Sequence, residues 1–223
     1  MAVRLCCLVV GALLAALAEA GEEYPCPHSA VVIHAADAAS LPEACAGAGD
    51  ALGFLGAAGL CVGMAIEVHV VHALPPGLDA ESAGCYVHPQ RQVYVLAPAM
   101  LERPPPSAGT APPLRFRSLV THEVAHAVAA SNFSVEHPTL KAHEYIAGVT
   151  TIATMPAPAR ARLLAAHPGS GFDSAAQISA TLFLLAPGWF AAEAYRHYRK
   201  PGNGPAFLRR VLAGEVLAEP DEF

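Results

Sequence analysis

The chain has 223 residues, of which 54% are hydrophobic and only 14% charged, and its net charge is −6. That length supports one or two domains with a real core, and a composition so poor in charge excludes a disordered chain. The acidic balance, with 11 Arg and 2 Lys, leaves no basic footprint for nucleic acid. Much of the apolar fraction is alanine, 47 residues, so the chain is less membrane-like than its percentage suggests.

The first 20 residues read as a targeting segment. Arg4 supplies a short positive region, Leu5 to Leu17 an apolar run, and Ala18-Glu19-Ala20 a small-x-small cleavage site. Cleavage would start the mature chain near Gly21 and discard Cys6 and Cys7. The expected location is secreted or periplasmic, with no membrane attachment after cleavage. Cys26, Cys45, Cys61 and Cys85 then remain, an even number that predicts two disulfides in an exported chain. Three connectivities stay open. No C-x-x-C pair occurs among them, which disfavours a four-thiolate metal site.

In chain order, residues 30–35 predict a buried strand, and Leu41 to Leu60 a helix beginning near Ser40. Ile66 to Val71 predicts a second strand. Gly84 to Val87 and Gln92 to Leu96 flank a turn at Pro89 and predict a hairpin. Residues 103–113 read as a Pro-rich loop. Helices are expected at 115–131, 138–154, 157–166, 174–199 and 204–214, with Pro138 at a first helical position and Pro156 as a stop. Strands with one helix come first and a run of helices second, an α+β layout. Residues 21–113 form an N-terminal α/β part and residues 114–223 a helical part.

The chemistry concentrates in Thr121-His122-Glu123-Val124-Ala125-His126, which contains H-E-x-x-H. Residues four apart share a helix face, so His122 and His126 can bind one metal ion together. Glu123 is rotated about 100° from His122 and can act beside the metal as a general base. Val120, Val124 and Val128 form a stripe opposite the His pair, so one face can pack while the other presents two imidazoles. A catalytic zinc needs a third protein ligand. Ala129 and Asn132 stand where an extended H-E-x-x-H-x-x-G-x-x-H motif would have Gly and His. Glu144, on the next predicted helix, is the leading candidate, with Gly148 and Thr151 on its face as small residues for close approach to the His helix. His143 and Asp173 remain alternatives; Glu136 and His137 in the connecting loop are weaker.

His122-Glu123-x-x-His126 followed by Glu144 resembles the gluzincin group of zinc metallopeptidases, over about residues 30–155. The resemblance implies a zincin-like fold: a small N-terminal mixed sheet with a helix, an active-site helix, and a C-terminal helical bundle. It implies Zn2+ held by His122, His126 and Glu144, a peptide or protein substrate, and hydrolysis by a metal-activated water with Glu123 as general base. It further implies a sheet edge along the substrate cleft, for which Gln92 to Leu96, the last strand before the motif, is the candidate. Tyr195, His197 and Tyr198 are weak candidates for an oxyanion donor, against a plain packing role. His69 and His72 fall on opposite faces of a strand and are no ligand pair. His28, His34, His88 and His167 are expected to be isolated. Two other functions stay open: a non-catalytic zincin-like secreted protein that binds zinc or a partner, and an unrelated binding module with a chance motif.

Overall fold

The computed structural model describes residues 22–220 apart from 28, 36, 80, 89 and 102–111. The expected signal peptide with Cys6 and Cys7, His28, and most of the Pro-rich loop lie outside the described residues. The chain runs β1 (Glu22–Pro25), β2 (Val31–Ala35), α1 (Leu41–Ala57), β3 (Ile66–Val71), β4 (Gly84–Val87), β5 (Gln92–Leu96), α2 (Pro112–Ala130), α3 (Leu140–Thr154), α4 (Ala157–Ala166), α5 (Ala180–Leu185), α6 (Pro187–Arg199) and α7 (Pro205–Leu212). Strands precede the helical run, so the fold is α+β.

The five strands form one mixed sheet in the order β1-β2-β3-β5-β4. β2, β3 and β5 are parallel; β1 and β4 flank them antiparallel. Alternation decides the faces. Val31, Ile33, Ala35, Ile66, Val68, Val70, Val93 and Val95 are buried in one core with α1 and α2. The intervening residues, among them His34, Glu67, His69, Gln92 and Tyr94, lie on the opposite face. α1 is the crossover that parallel β2 and β3 require.

Two expectations about the sheet are corrected. β5 is not the edge strand. It pairs with β3, and the preceding β4 folds outward to become the edge beside the site, so order along the chain does not give order in the sheet. β1 was not expected, because Glu22-Glu23-Tyr24-Pro25 is polar and ends in proline; as an edge strand it tolerates both.

Close packing brings α2 into place. A Cβ on Gly47 of α1 would fall 2.5 Å from the Arg117 carbonyl oxygen, so only glycine allows this approach. Thr121 Oγ1 donates to the Gly47 carbonyl at 3.1 Å, and Arg117 grips Asp50 through two bonds of 2.7 and 2.9 Å. Cys26 and Cys45 form a disulfide that ties the end of β1 to α1. The expected second bridge does not form: Cys61 is exposed after α1, whereas Cys85 is buried within β4. No helix among the described residues is long and apolar enough to cross a membrane. That and the disulfide are compatible with a secreted protein.

The later helices match expectation with local changes. α3 starts at Leu140 rather than at Pro138, because Thr139 is the N-cap and accepts from the Ala142 N–H. The helical stretch expected over 174–199, whose Pro187-Gly188 marks Ile178 to Ala192 as a buried helix pair, is divided there into α5 and α6. Ser179 caps α5, and Pro187 opens α6 at a position where its missing N–H costs nothing.

Candidate metal centre

Val120, Val124 and Val128 are fully buried, as the stripe on α2 predicts. Their burial fixes the rotation of α2 and turns His122 and His126 toward α3, where Glu144 faces them. The three side chains converge. His122 Nε2 and His126 Nε2 are 3.1 Å apart, and the Glu144 carboxylate lies 3.4 Å from the first and 3.5 Å from the second. A tetrahedral transition metal with ligands at about 2.0–2.1 Å has ligand–ligand edges of about 3.3–3.4 Å, so this triangle is the size such an ion requires. Glu144 is only 7% exposed, and its Oε2 has no hydrogen-bond partner among the described residues. An orphaned buried carboxylate oxygen is costly. A cation among the three donors would satisfy it.

The protonation pattern shows the same conflict. Burial disfavours charge on His122, yet the Glu144 carboxylate overcomes it and raises the His122 pKa. Burial and the neighbouring His122 hold His126 well below the ordinary histidine value. The His143 imidazole adds to the lowering of His126.

A further residue orients His122. Thr151 Oγ1 lies 3.5 Å from His122 Nδ1 and donates to the Ala147 carbonyl at 2.8 Å. Its oxygen can therefore accept Nδ1–H, which leaves the Nε2 lone pair directed at the other donors. Gly148, on the same face of α3, has a different role from the one expected. Its hydrogen faces Ala191 of α6, 3.2 Å from where a Cβ would sit, so it admits α6 rather than α2.

Glu123 stands beside the triangle, 7% exposed. Burial pushes its pKa up to about 7, opposed by His122 and by a hydrogen bond from the Tyr86 backbone on β4. It packs under the sheet edge: a Cβ on Gly84 would lie 2.9 Å from Glu123 Cγ and 3.0 Å from Oε1. Sequence reading passed over Gly84 and gave Thr151 only a packing role. An isolated glycine opening a strand is nonetheless a signal of close approach.

The alternative ligands sit elsewhere. His143 does not point away as expected: its ring lies 5.6 Å from that of His126 and 4.8 Å from that of Phe133. It flanks the centre but is not one of the converging donors, and burial holds its pKa down to about 4. Asp173 is exposed and paired with Lys200 at 2.9 Å. Glu136 and His137 are exposed and face each other at 3.9 Å. The weak oxyanion candidates have packing partners. Tyr195 carries Arg160 over its ring, Tyr198 meets Phe54, and buried His197 bonds to Tyr145 Oη at 2.7 Å.

A cleft of about 320 Å³ opens beside the centre. Ala83, Leu101, Leu119 and Met155 give it apolar walls, and His122 and Thr151 line it. A larger cavity of about 810 Å³ lies by the Cys26–Cys45 disulfide and contains none of the four site residues.

Residues 31–221, most of the chain and all four site residues, match the DUF6639 family, a family of unknown function. This chain belongs to DUF6639. No curated protein matches this DUF6639 member, and no solved structure does.

Proposed function

We propose that the protein is an exported zinc-dependent metallopeptidase of the gluzincin type, with His122, His126 and Glu144 as ligands and Glu123 as general base. The observation that carries this reading is the convergence of three metal donors around a buried, unsatisfied Glu144 oxygen, with a second buried carboxylate beside them. Two imidazoles and a carboxylate suit zinc, and a purely structural site has no use for Glu123.

When bound, zinc would polarise the scissile carbonyl and lower the pKa of the attacking water. The chain's own residues divide the remaining work. Glu123, buried with its pKa raised to about 7, would serve as the group that takes a proton from the attacking water and delivers it to the leaving amine. Gly84 and the Tyr86 N–H hold the Glu123 carboxylate in place. The outer side of β4 offers backbone groups to an extended peptide, which would add as a sixth strand. The apolar cleft next to His122 would take a substrate side chain. These features support a zincin-like arrangement of edge strand over active-site helix.

The test uses the full exported chain, expressed into an oxidising compartment. Zinc content is measured by elemental analysis, and hydrolysis with a peptide library. One zinc is expected at this centre, lost in His122→Ala, His126→Ala and Glu144→Ala. Glu123→Gln should keep that zinc and lose hydrolysis. A wild type without zinc after reconstitution overturns the reading. Zinc without hydrolysis of any peptide reduces it to the non-catalytic alternative.

A further inference from the structure

The sheet face turned away from α1 and α2 carries a second group of donors. His34, expected from the sequence to be isolated, is not. β2, β3 and β5 run parallel and in register, so His34, His69 and Tyr94 are Cα partners in one row. The row continues to Glu23 on β1 and Cys85 on β4. The His34 and His69 rings stack at 4.5 Å and 9°, and Tyr94 stacks on His69 at 4.8 Å. Two residues back on β3, Glu67 brings Oε2 to 3.4 Å from His69 Nε2. Gln92 Nε2 donates to the same carboxylate oxygen at 3.1 Å, and the Tyr94 hydroxyl donates to Gln92 Oε1 at 3.1 Å.

This arrangement leaves a deficit. His34 Nε2 and His69 Nε2 are both shielded from solvent, and neither has a hydrogen-bond partner among the described residues. The contact of His69 with Glu67 is close but not aligned as a hydrogen bond. Two buried imidazole nitrogens without partners cost free energy unless something occupies them. One donor atom from each of His34, Glu67 and His69 lies within 4.8 Å of the others.

We propose that His34, His69 and Glu67 form a second cation site, on the opposite side of the sheet from the α2–α3 centre, for a divalent transition-metal ion such as Zn2+, Cu2+ or Ni2+. Two imidazoles with one carboxylate favour these ions over Mg2+ and Ca2+, which take oxygen ligands. The rings are parallel, so side-chain rotation must turn their lone pairs toward a common point. Gln92 holds the carboxylate, the kind of supporting bond that tunes a metal site. A cation here clamps β2 to β3, strands that the chain connects only through α1. It would therefore act as a structural staple and raise stability by linkage.

The test loads the full exported chain with Zn2+, removes unbound metal by desalting, and counts zinc per chain. Wild type, the His122→Ala/His126→Ala double variant, His69→Gln and Glu67→Gln are compared. Two equivalents are expected in wild type and one in each of the others. In the double variant, Zn2+ or Cu2+ should still raise Tm while Mg2+ does not. Adding Glu67→Gln to that background should weaken the apparent affinity by at least the ~10–100-fold typical of losing a supporting residue. Glu67 is exposed on the sheet, so its variant decides the matter if His69→Gln fails to fold. A single equivalent that is lost in the double variant and kept in both sheet variants overturns the second site alone. A single equivalent lost in the sheet variants and kept in the double variant upholds it and overturns the α2–α3 reading. No bound metal in wild type overturns both.

Discussion

Gly84→Ala tests whether the sheet edge positions Glu123, the proposed general base. Gly84 opens β4, and its φ is not among the positive values, so alanine is compatible with the backbone. The added Cβ would stand 2.9 Å from Glu123 Cγ, 3.0 Å from Oε1 and 3.2 Å from Cδ. Carbon atoms in contact prefer about 3.5–4.0 Å, so Cγ must retreat by roughly 0.6 Å, and the carboxylate beyond it by more. The obstruction is a side chain rather than backbone, so the fold should survive. Overpacking costs ~1–3 kcal/mol, partly offset by the ~0.4–1 kcal/mol that Gly→Ala removes from unfolded-chain entropy. A general base displaced by about 1 Å can cost ~100-fold in rate, about 2.7 kcal/mol of barrier. Peptide hydrolysis should therefore fall by roughly 30–100-fold in kcat/KM, while zinc content stays at the wild-type value. Combined with Glu123→Gln, Gly84→Ala should add no further loss, because both act through one carboxylate. Full activity in Gly84→Ala, loss of zinc, or additive losses in the double variant would each refute the reasoning.

Three further outcomes follow from other contacts. Thr151→Val removes the acceptor for His122 Nδ1–H and should weaken zinc binding by ~10–100-fold; an unchanged affinity in a metal-competition titration would show that Thr151 only packs. Replacing Cys26 and Cys45 by Ser opens a bridge with a sequence separation of 19 and should lower unfolding stability by about 3 kcal/mol on the loop-entropy estimate, measured by urea denaturation; a change under about 1 kcal/mol would contradict that estimate. His197 is held below the ordinary histidine pKa by burial and then by Lys200. Its native state therefore binds fewer protons than the unfolded chain, and its contribution is present above the unfolded pKa of ~6.5 and lost as pH falls toward the folded value. With metal removed by chelator, Tm should fall less between pH 7 and pH 5 in His197→Gln than in the parent; equal slopes would refute the assignment.

The parts of the fold legible in the sequence are those whose pattern is local. β3, β4 and β5 fall on the expected residues because Val/Ile alternation and the turn between β4 and β5 are written in short windows. The buried stripe at Val120, Val124 and Val128 placed α2 and its rotation. The parts that were illegible depend on partners. β4 rather than β5 forms the edge because β5 gains a partner in β3. Cys61, in the loop after α1, and Cys85, within β4, are kept apart by the fold, which no spacing reveals. In the 174–199 segment Pro187-Gly188 marks the division into two helices, whereas the start of the first at the Ser179 cap rather than at 174 is not marked.

The two donor groups differ in the same way, and the difference explains why one was seen and the other missed. His122 and His126 are tied by helix geometry, four residues apart, so their convergence is readable without a fold. Glu144 needed only the assumption that the next helix returns alongside. His34 and His69 are 35 positions apart in number and meet only because β2 and β3 are parallel and in register. A shift of one residue in that register would send one imidazole to the core face and leave the other alone. That dependence has a physical consequence beyond legibility. The His34–Glu67–His69 group exists only when β2 and β3 are paired in this register. Metal bound there is thermodynamically coupled to sheet formation, whereas metal bound between α2 and α3 is coupled to the packing of two helices.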